Sequence, residues 1–123
     1  EEDSNNLVQT LRDHKIPNPY FEIFVGCMVR AGVWDKITPI IGYSQDVFDR
    51  VPLVDLVYVD GDHSYEGCLR DIENYWPLAR KVICGDDYHL NPQGVPYFPG
   101  VRRAVDEAFP EHGSNYTFWW KEL

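Results

Sequence analysis

Three polar clusters carry the chemistry available to this sequence: Gly42-Tyr43-Ser44-Gln45-Asp46, Asp60-Gly61-Asp62-His63-Ser64-Tyr65-Glu66-Gly67 and Gly85-Asp86-Asp87-Tyr88-His89. Each follows a short apolar run that reads as a strand, and in open parallel sheets ligands bind beyond the carboxyl ends of the strands. Neighbouring strand ends lie about 5 Å apart, so Asp60 and Asp86 or Asp87 can converge on one cation. Oxygen-only ligands favour a hard ion such as Mg²⁺, with water or substrate oxygens completing its octahedron. His63 has an ordinary pKa of about 6.5, and beside a cation its neutral form is favoured, which suits it to take a proton from a substrate hydroxyl.

Each cluster also has a plainer reading. Asp62 or Ser64 can cap the helix that follows, and Asp86-Asp87 can be solvated carboxylates of a turn. His63 can hydrogen-bond within its own loop. The coincidence of two acidic clusters at two strand ends favours the metal site over these. His89 reads as a loop residue rather than a second polar wall, and His14 and His112 read as structural or solvated. No nucleophile elbow, P-loop or His-x-x-x-His zinc helix occurs.

The elements that must position these clusters follow from spacing. Asp3 or Ser4 can cap a first helix ending near Lys15. From Pro19, the residues Phe21, Phe24, Val25, Met28 and Val29 form an amphipathic stripe, with Gly32 placed for a left-handed cap. Ile37 to Gly42 reads as a β-branched strand, followed by Ser44 as N-cap of a brief helix. Leu53 to Val59 has the near-continuous apolar pattern of a strand buried on both faces. A helix from about Tyr65 to Trp76, a strand at Val82 to Cys84, a loop from Tyr88 to Pro99, a helix from Gly100 to Phe109 and a strand from Tyr116 to Trp120 complete the chain. Strands alternating with helices argue for a mostly parallel α/β sheet with helices on both faces.

Composition narrows the function classes. The 123 residues carry 11 Lys+Arg against 20 Asp+Glu, a net charge of −9, and 15% are aromatic. That fits one small globular domain without a basic face for nucleic acid. The longest mostly apolar run, Ile23 to Val29, has seven residues, whereas a bilayer span needs about 20. The acidic start shows no export signal, and Cys27, Cys68 and Cys84 fit neither a disulfide framework nor a CxxC motif. A cytoplasmic setting with buried thiols is expected.

The stretch Val54 to Gly67, Val-Asp-Leu-Val-Tyr-Val-Asp-Gly-Asp-His-Ser-Tyr-Glu-Gly, with Val-Ile-Cys-Gly-Asp-Asp-Tyr ending at Tyr88, resembles class I S-adenosylmethionine-dependent methyltransferases. Within them it is similar to the metal-dependent O-methyltransferase branch that includes the sugar O-methyltransferases of macrolide pathways. Ala31-Gly32-Val33 to Ser44 and Pro99-Gly100-Val101-Arg102-Arg103-Ala104-Val105 extend the resemblance over about residues 20 to 123. Gly42-Tyr43-Ser44-Gln45-Asp46 is similar to the adenine-contacting loop of catechol O-methyltransferase. The resemblance implies a Rossmann-like methyltransferase sheet. It places Ser44, Gln45 and Asp60 at the cofactor, Asp60, Asp86 and Asp87 at a divalent cation such as Mg²⁺, and His63 as the base.

One departure stands out. No Gly-x-Gly occurs, so the first strand and Gly-rich loop of that family, and the second strand after it, have no counterpart here. The resemblance therefore implies a single N-terminally truncated, partial domain over residues 1–123. It would keep little or no activity alone and could form a homo-oligomer through exposed sheet edges. The leading expectation is S-adenosylmethionine-dependent, metal-assisted O-methyl transfer to a small, sugar-like acceptor, with neither nucleic acid nor membrane as partner. The alternatives are a small metal-dependent hydrolase and a non-catalytic oligomeric module built on the Trp119-Trp120 strand.

Overall fold

The computed structural model describes residues 19–123. They fall into two compact units, 19–39 and 40–123. The expected first helix, with its caps Asp3 or Ser4 and with His14, lies outside the described residues.

In the first unit, helix α1 spans Pro19–Arg30. It ends as the sequence anticipates. Gly32 takes φ 72°, its N–H donates to the Val29 carbonyl and the Val33 N–H reaches back to Met28, which satisfies carbonyls that the last turn leaves open. A short 3₁₀ turn, Trp34–Lys36, follows, and the Trp34 ring meets Phe24 edge-on at 6.4 Å.

The expected strand from Ile37 to Gly42 does not form: residues 37–41 take no regular structure. A strand needs a neighbour to satisfy its backbone N–H and C=O groups, and the described residues pair none with this segment. Gly42 then turns the chain into helix α2, Ser44–Val47. Ser44 is its first residue rather than its cap, and the cap position, Tyr43, makes no side-chain capping bond.

The second unit is built on a four-stranded sheet of order β1-β2-β4-β3, with β1 Val54–Val59, β2 Ala79–Gly85, β3 Gly113–Asn115 and β4 Phe118–Glu122. Strands β1 and β2 are parallel, with Val57 opposite Ile83 and Val59 opposite Gly85, and helix α3, Tyr65–Tyr75, makes the crossover. β4 runs antiparallel to both β2 and β3. The sheet is therefore mixed and mostly antiparallel, where alternation of elements suggested a mostly parallel one. The short connection Tyr116-Thr117, which can only return the chain as a hairpin, accounts for the antiparallel pairing of β3 with β4.

Helix α4, Pro99–Ala108, packs with α3 against one face of this sheet. Ile72 and Cys68 from α3 and Val101, Ala104 and Val105 from α4 meet Val57, Ile83 and Trp119 in one core. The other face is more open than expected. Val57 and Val59 point inward, but Leu56 and Tyr58 are 55% and 51% exposed, so β1 is not buried on both faces. On that side Tyr58, Phe118 and Trp120 stack in a row, with centroids 6.4 and 5.7 Å apart. Among the described residues, no helix is long and apolar enough to cross a membrane.

Candidate functional site

At the carboxyl ends of β1 and β2, residue 85 has room only for glycine. A Cβ there would lie 2.5 Å from the Val59 carbonyl oxygen and 2.7 Å from Trp119 Nε1. This contact sets the loops that begin at Asp60 and Asp86 side by side. Their ligand atoms meet: one atom from each of Asp60, His63 and Asp87 lies within 4.8 Å of the other two. His63 Nε2 stands 2.7 Å from Asp87 Oδ2, and both side chains are partly buried.

The loop after β1 is shaped by its own polar residues. Asp62 Oδ1 accepts the Ser64 N–H at 2.8 Å, and Ser64 Oγ caps α3 by accepting the Gly67 N–H at 3.1 Å. Of the two residues offered as caps it is Ser64 that caps the helix, while Asp62 shapes the turn before it, and the Ser64 N–H holds the Asp62 carboxyl below its usual range. Helix α4 braces the same loop. A Cβ on Gly100 would fall 2.6 Å from both the His63 carbonyl oxygen and the Tyr65 amide nitrogen. Arg103 also lies over the Tyr65 ring at 3.8 Å.

The loop after β2 is held from two sides. Arg102 donates to the Tyr88 carbonyl at 2.8 Å, and the Tyr88 N–H donates to the Thr117 carbonyl of the hairpin turn. Asp87 takes φ 66°, a left-handed conformation that Asp tolerates better than most residues. Asp86 lines the same recess as Asp60, His63 and Asp87. Its carboxylate accepts hydrogen bonds from the Thr117 hydroxyl and the Asp87 N–H, which keep its pKa below the usual range.

Beside this group, Ser44, Val57, Tyr58, Val59, Asp60, Gly61, Asp71 and Tyr75 line a cleft of about 220 Å³. Asp71 was not anticipated. It is 5% exposed, and its Oδ1 accepts the Ser44 hydroxyl at 2.5 Å. Burial raises its pKa, and that outweighs the Ser44 hydrogen bond. The signal was present in the sequence: Asp71 falls among Gly67, Cys68 and Ile72 on the buried stripe of α3, where an acidic side chain must have a partner. Gln45, the next residue of helix α2, is exposed and outside this lining.

From His63 a run of rings leads outward. Phe98 lies 4.5 Å from the His63 ring, His89 lies 6.3 Å from Phe98, and Tyr97 and Tyr116 approach His89 at 4.6 and 5.4 Å. His89 is therefore built into an aromatic wall rather than being a plain loop residue, and its Nδ1 is buried without a hydrogen-bond partner. His112, by contrast, is structural, bonded through Nε2 to Asp106 at 2.9 Å.

The sequence matches the family model of a methyltransferase domain over residues 4–88. The chain belongs to the methyltransferase-domain family. The matched segment contains the first two clusters and the third as far as Tyr88, including Ser44, Asp60, His63, Asp86 and Asp87. No curated protein matches the chain. In this methyltransferase domain, the acidic group and the adjoining cleft both lie at the end of the parallel strand pair. That is where open α/β sheets bind ligands.

Proposed function

We propose that the domain serves S-adenosylmethionine-dependent O-methyl transfer to a small, hydroxylated, sugar-like acceptor, assisted by a divalent cation. One observation carries this reading: the meeting of Asp60, His63 and Asp87 beside a cleft that Ser44 and Asp60 share. The donor set fits a hard cation. Asp60 supplies a carboxylate, Asp87, with Oδ2 engaged by His63, still offers Oδ1, and Asp86, which lines the same recess, would join them by turning an oxygen from its Thr117 and Asp87 N–H hydrogen bonds. With His63 reserved as base, the ligands are oxygens alone and favour Mg²⁺. When bound, S-adenosylmethionine supplies the electrophilic methyl group and the cation polarises the acceptor hydroxyl.

The residues divide the remaining work. Ser44 and Gln45 take the adenine end of the cofactor, and Asp60 stands between cofactor and cation. Asp87 fixes the His63 ring by accepting its Nε2–H, so Nδ1 carries the lone pair that receives the acceptor's proton. This is the usual way a carboxylate orients an imidazole. The aromatic wall of Phe98, Tyr97 and Tyr116 supports the choice of acceptor, since ring faces suit the C–H face of a sugar while His63 meets its hydroxyl.

Calorimetric titration with S-adenosylmethionine and Mg²⁺, on the full polypeptide of this reading frame, tests the proposal. Saturable cofactor binding is expected, with Mg²⁺-dependent methyl transfer that His63→Ala abolishes while cofactor binding persists. Absence of cofactor binding with and without Mg²⁺ overturns it.

A further inference from the structure

The cleft between Ser44 and Asp60 has a hydrogen-bonding polarity, and a residue outside the matched clusters sets it. Asp71 approaches Ser44 from helix α3, and one turn later Tyr75 donates its hydroxyl to the Ser44 carbonyl at 2.7 Å. The two side chains are four residues apart on one helix face, so together they fix both the backbone and the hydroxyl of Ser44. Asp71 also abuts Gly61, another residue of the cleft lining, where a Cβ would lie 2.8 Å from its Oδ2. A carboxylate has no proton to give, so in this pair the hydroxyl must donate. The single proton of Ser44 is thereby spent on Asp71, and what Ser44 turns to the cleft is lone pairs.

We propose that Asp71 is a positioning residue that makes Ser44 an obligate acceptor, so that the cleft selects a ligand presenting an N–H donor there, a 6-amino purine over a 6-oxo purine. This rests on the adenosyl reading above and deepens it. A 6-oxo purine sets its carbonyl oxygen against the lone pairs of Ser44, leaving two acceptors face to face without a proton between them. Mismatches of that kind, in a site built for a hydrogen bond, are rejected more strongly than differences in apolar bulk.

The test is a titration of the full polypeptide with S-adenosylhomocysteine and with its 6-oxo counterpart, S-inosylhomocysteine. The natural protein is expected to prefer the adenosyl ligand by about tenfold or more. Ser44→Ala removes the acceptor and is expected to bring the two affinities within about threefold. Asp71→Leu fills the same space without a charge and frees the Ser44 proton, so the preference is expected to vanish or reverse. A purely structural role for Asp71 would weaken both ligands alike and leave their ratio unchanged. Equal affinities in the natural protein overturn the inference, as does a preference that survives either substitution. If Asp71→Leu does not fold, Asp71→Asn takes its place, since its amide N–H can donate to the Ser44 hydroxyl and leave the Ser44 proton for the cleft; the preference is again expected to shrink, and one that persists undiminished overturns the inference. Failure of both ligands to bind the natural protein would instead overturn the adenosyl reading itself.

Discussion

His63 and Asp87 form a pair, Nε2 to Oδ2 at 2.7 Å, and the carboxylate is presented from a residue held at φ 66°. The turn and this hydrogen bond are one device: the left-handed backbone at Asp87 aims its side chain back toward the loop after β1. Two changes at position 87 separate these contributions. Asn tolerates the left-handed region as Asp does, whereas Ala is penalised there by about 1 to 2 kcal/mol.

Asp87→Asn is therefore expected to melt close to the natural protein while binding Mg²⁺ at least roughly tenfold more weakly. Asp87→Ala is expected to lose both affinity and stability. Calorimetry and thermal unfolding together check this. Undiminished Mg²⁺ affinity in Asp87→Asn would show that the residue does not hold the ion.

A second expectation concerns Gly100, whose missing Cβ lets the start of α4 rest against the His63 carbonyl and the Tyr65 amide. Both contacts are backbone and cannot swing aside as a flexible side chain would. Gly100→Ala must displace the loop that carries His63, at a cost of about 1 to 3 kcal/mol. Urea unfolding measures that loss. Methyl transfer should fall further than stability alone accounts for, because the base is moved. A variant as stable and as active as the natural protein would refute the bracing role.

Much of the scaffold was legible from residue types and spacing. The helices at 19–30, 65–75 and 99–108 and the strand pair around Val57 and Ile83 follow from periodicity, caps and glycines. Local signals were enough for the helices at 65–75 and 99–108 because each buries a regular apolar stripe, and for the helix at 19–30, whose apolar residues stay largely exposed, because Gly32 marks its end. Two things were not legible. Ile37 to Gly42 has the composition of a strand, but strand formation needs a partner, and pairing is not a local property. The direction of β4 depended on reading Gly113 to Trp120 as a hairpin, whose turn carries Tyr116 at φ 54° in place of the customary glycine or asparagine. At the site itself, proximity in sequence hid a difference between neighbours. Asp87 faces His63, while Asp86 is turned onto Thr117 and the chain's own amide, a distinction made by backbone dihedrals and not by composition.

The thiols give a third expectation. All three were expected to be buried, yet Cys27 is exposed on α1, whereas Cys68 and Cys84 are buried. Burial pushes the Cys68 thiol up to about 12 and also raises that of Cys84. Since the thiolate is the nucleophile, a disulfide reagent at mildly alkaline pH should modify Cys27 quickly. The other two should react only when the second unit opens, at a rate that follows denaturant concentration. Three equally fast thiols would contradict the packing of α3 on the sheet.

A fourth expectation follows from the acidic member of the Tyr88, Asp106 and His112 cluster. Tyr88 donates its hydroxyl to Asp106 Oδ1 at 2.6 Å, and His112 Nε2 lies 2.9 Å from the same oxygen. Burial raises the Asp106 pKa, but these two hydrogen bonds outweigh it and the carboxyl titrates below its usual range. Tyr88 itself is pushed up to about 12, chiefly by burial, so it remains a donor throughout. A lowered folded-state pKa means that the stabilisation is complete above the unfolded value of about 3.9 and is lost as the pH falls through the folded value. Asp106→Asn should consequently be less stable than the natural protein near neutrality, and the gap should close as the pH falls below about 4. The effect is modest, because the Asp106 side chain is 53% exposed and water screens it. Denaturant midpoints measured for both proteins across that range provide the check. A gap that stays constant down to the lowest pH would mean that the ionised form of Asp106 contributes nothing, leaving only the shape of the side chain to explain the difference.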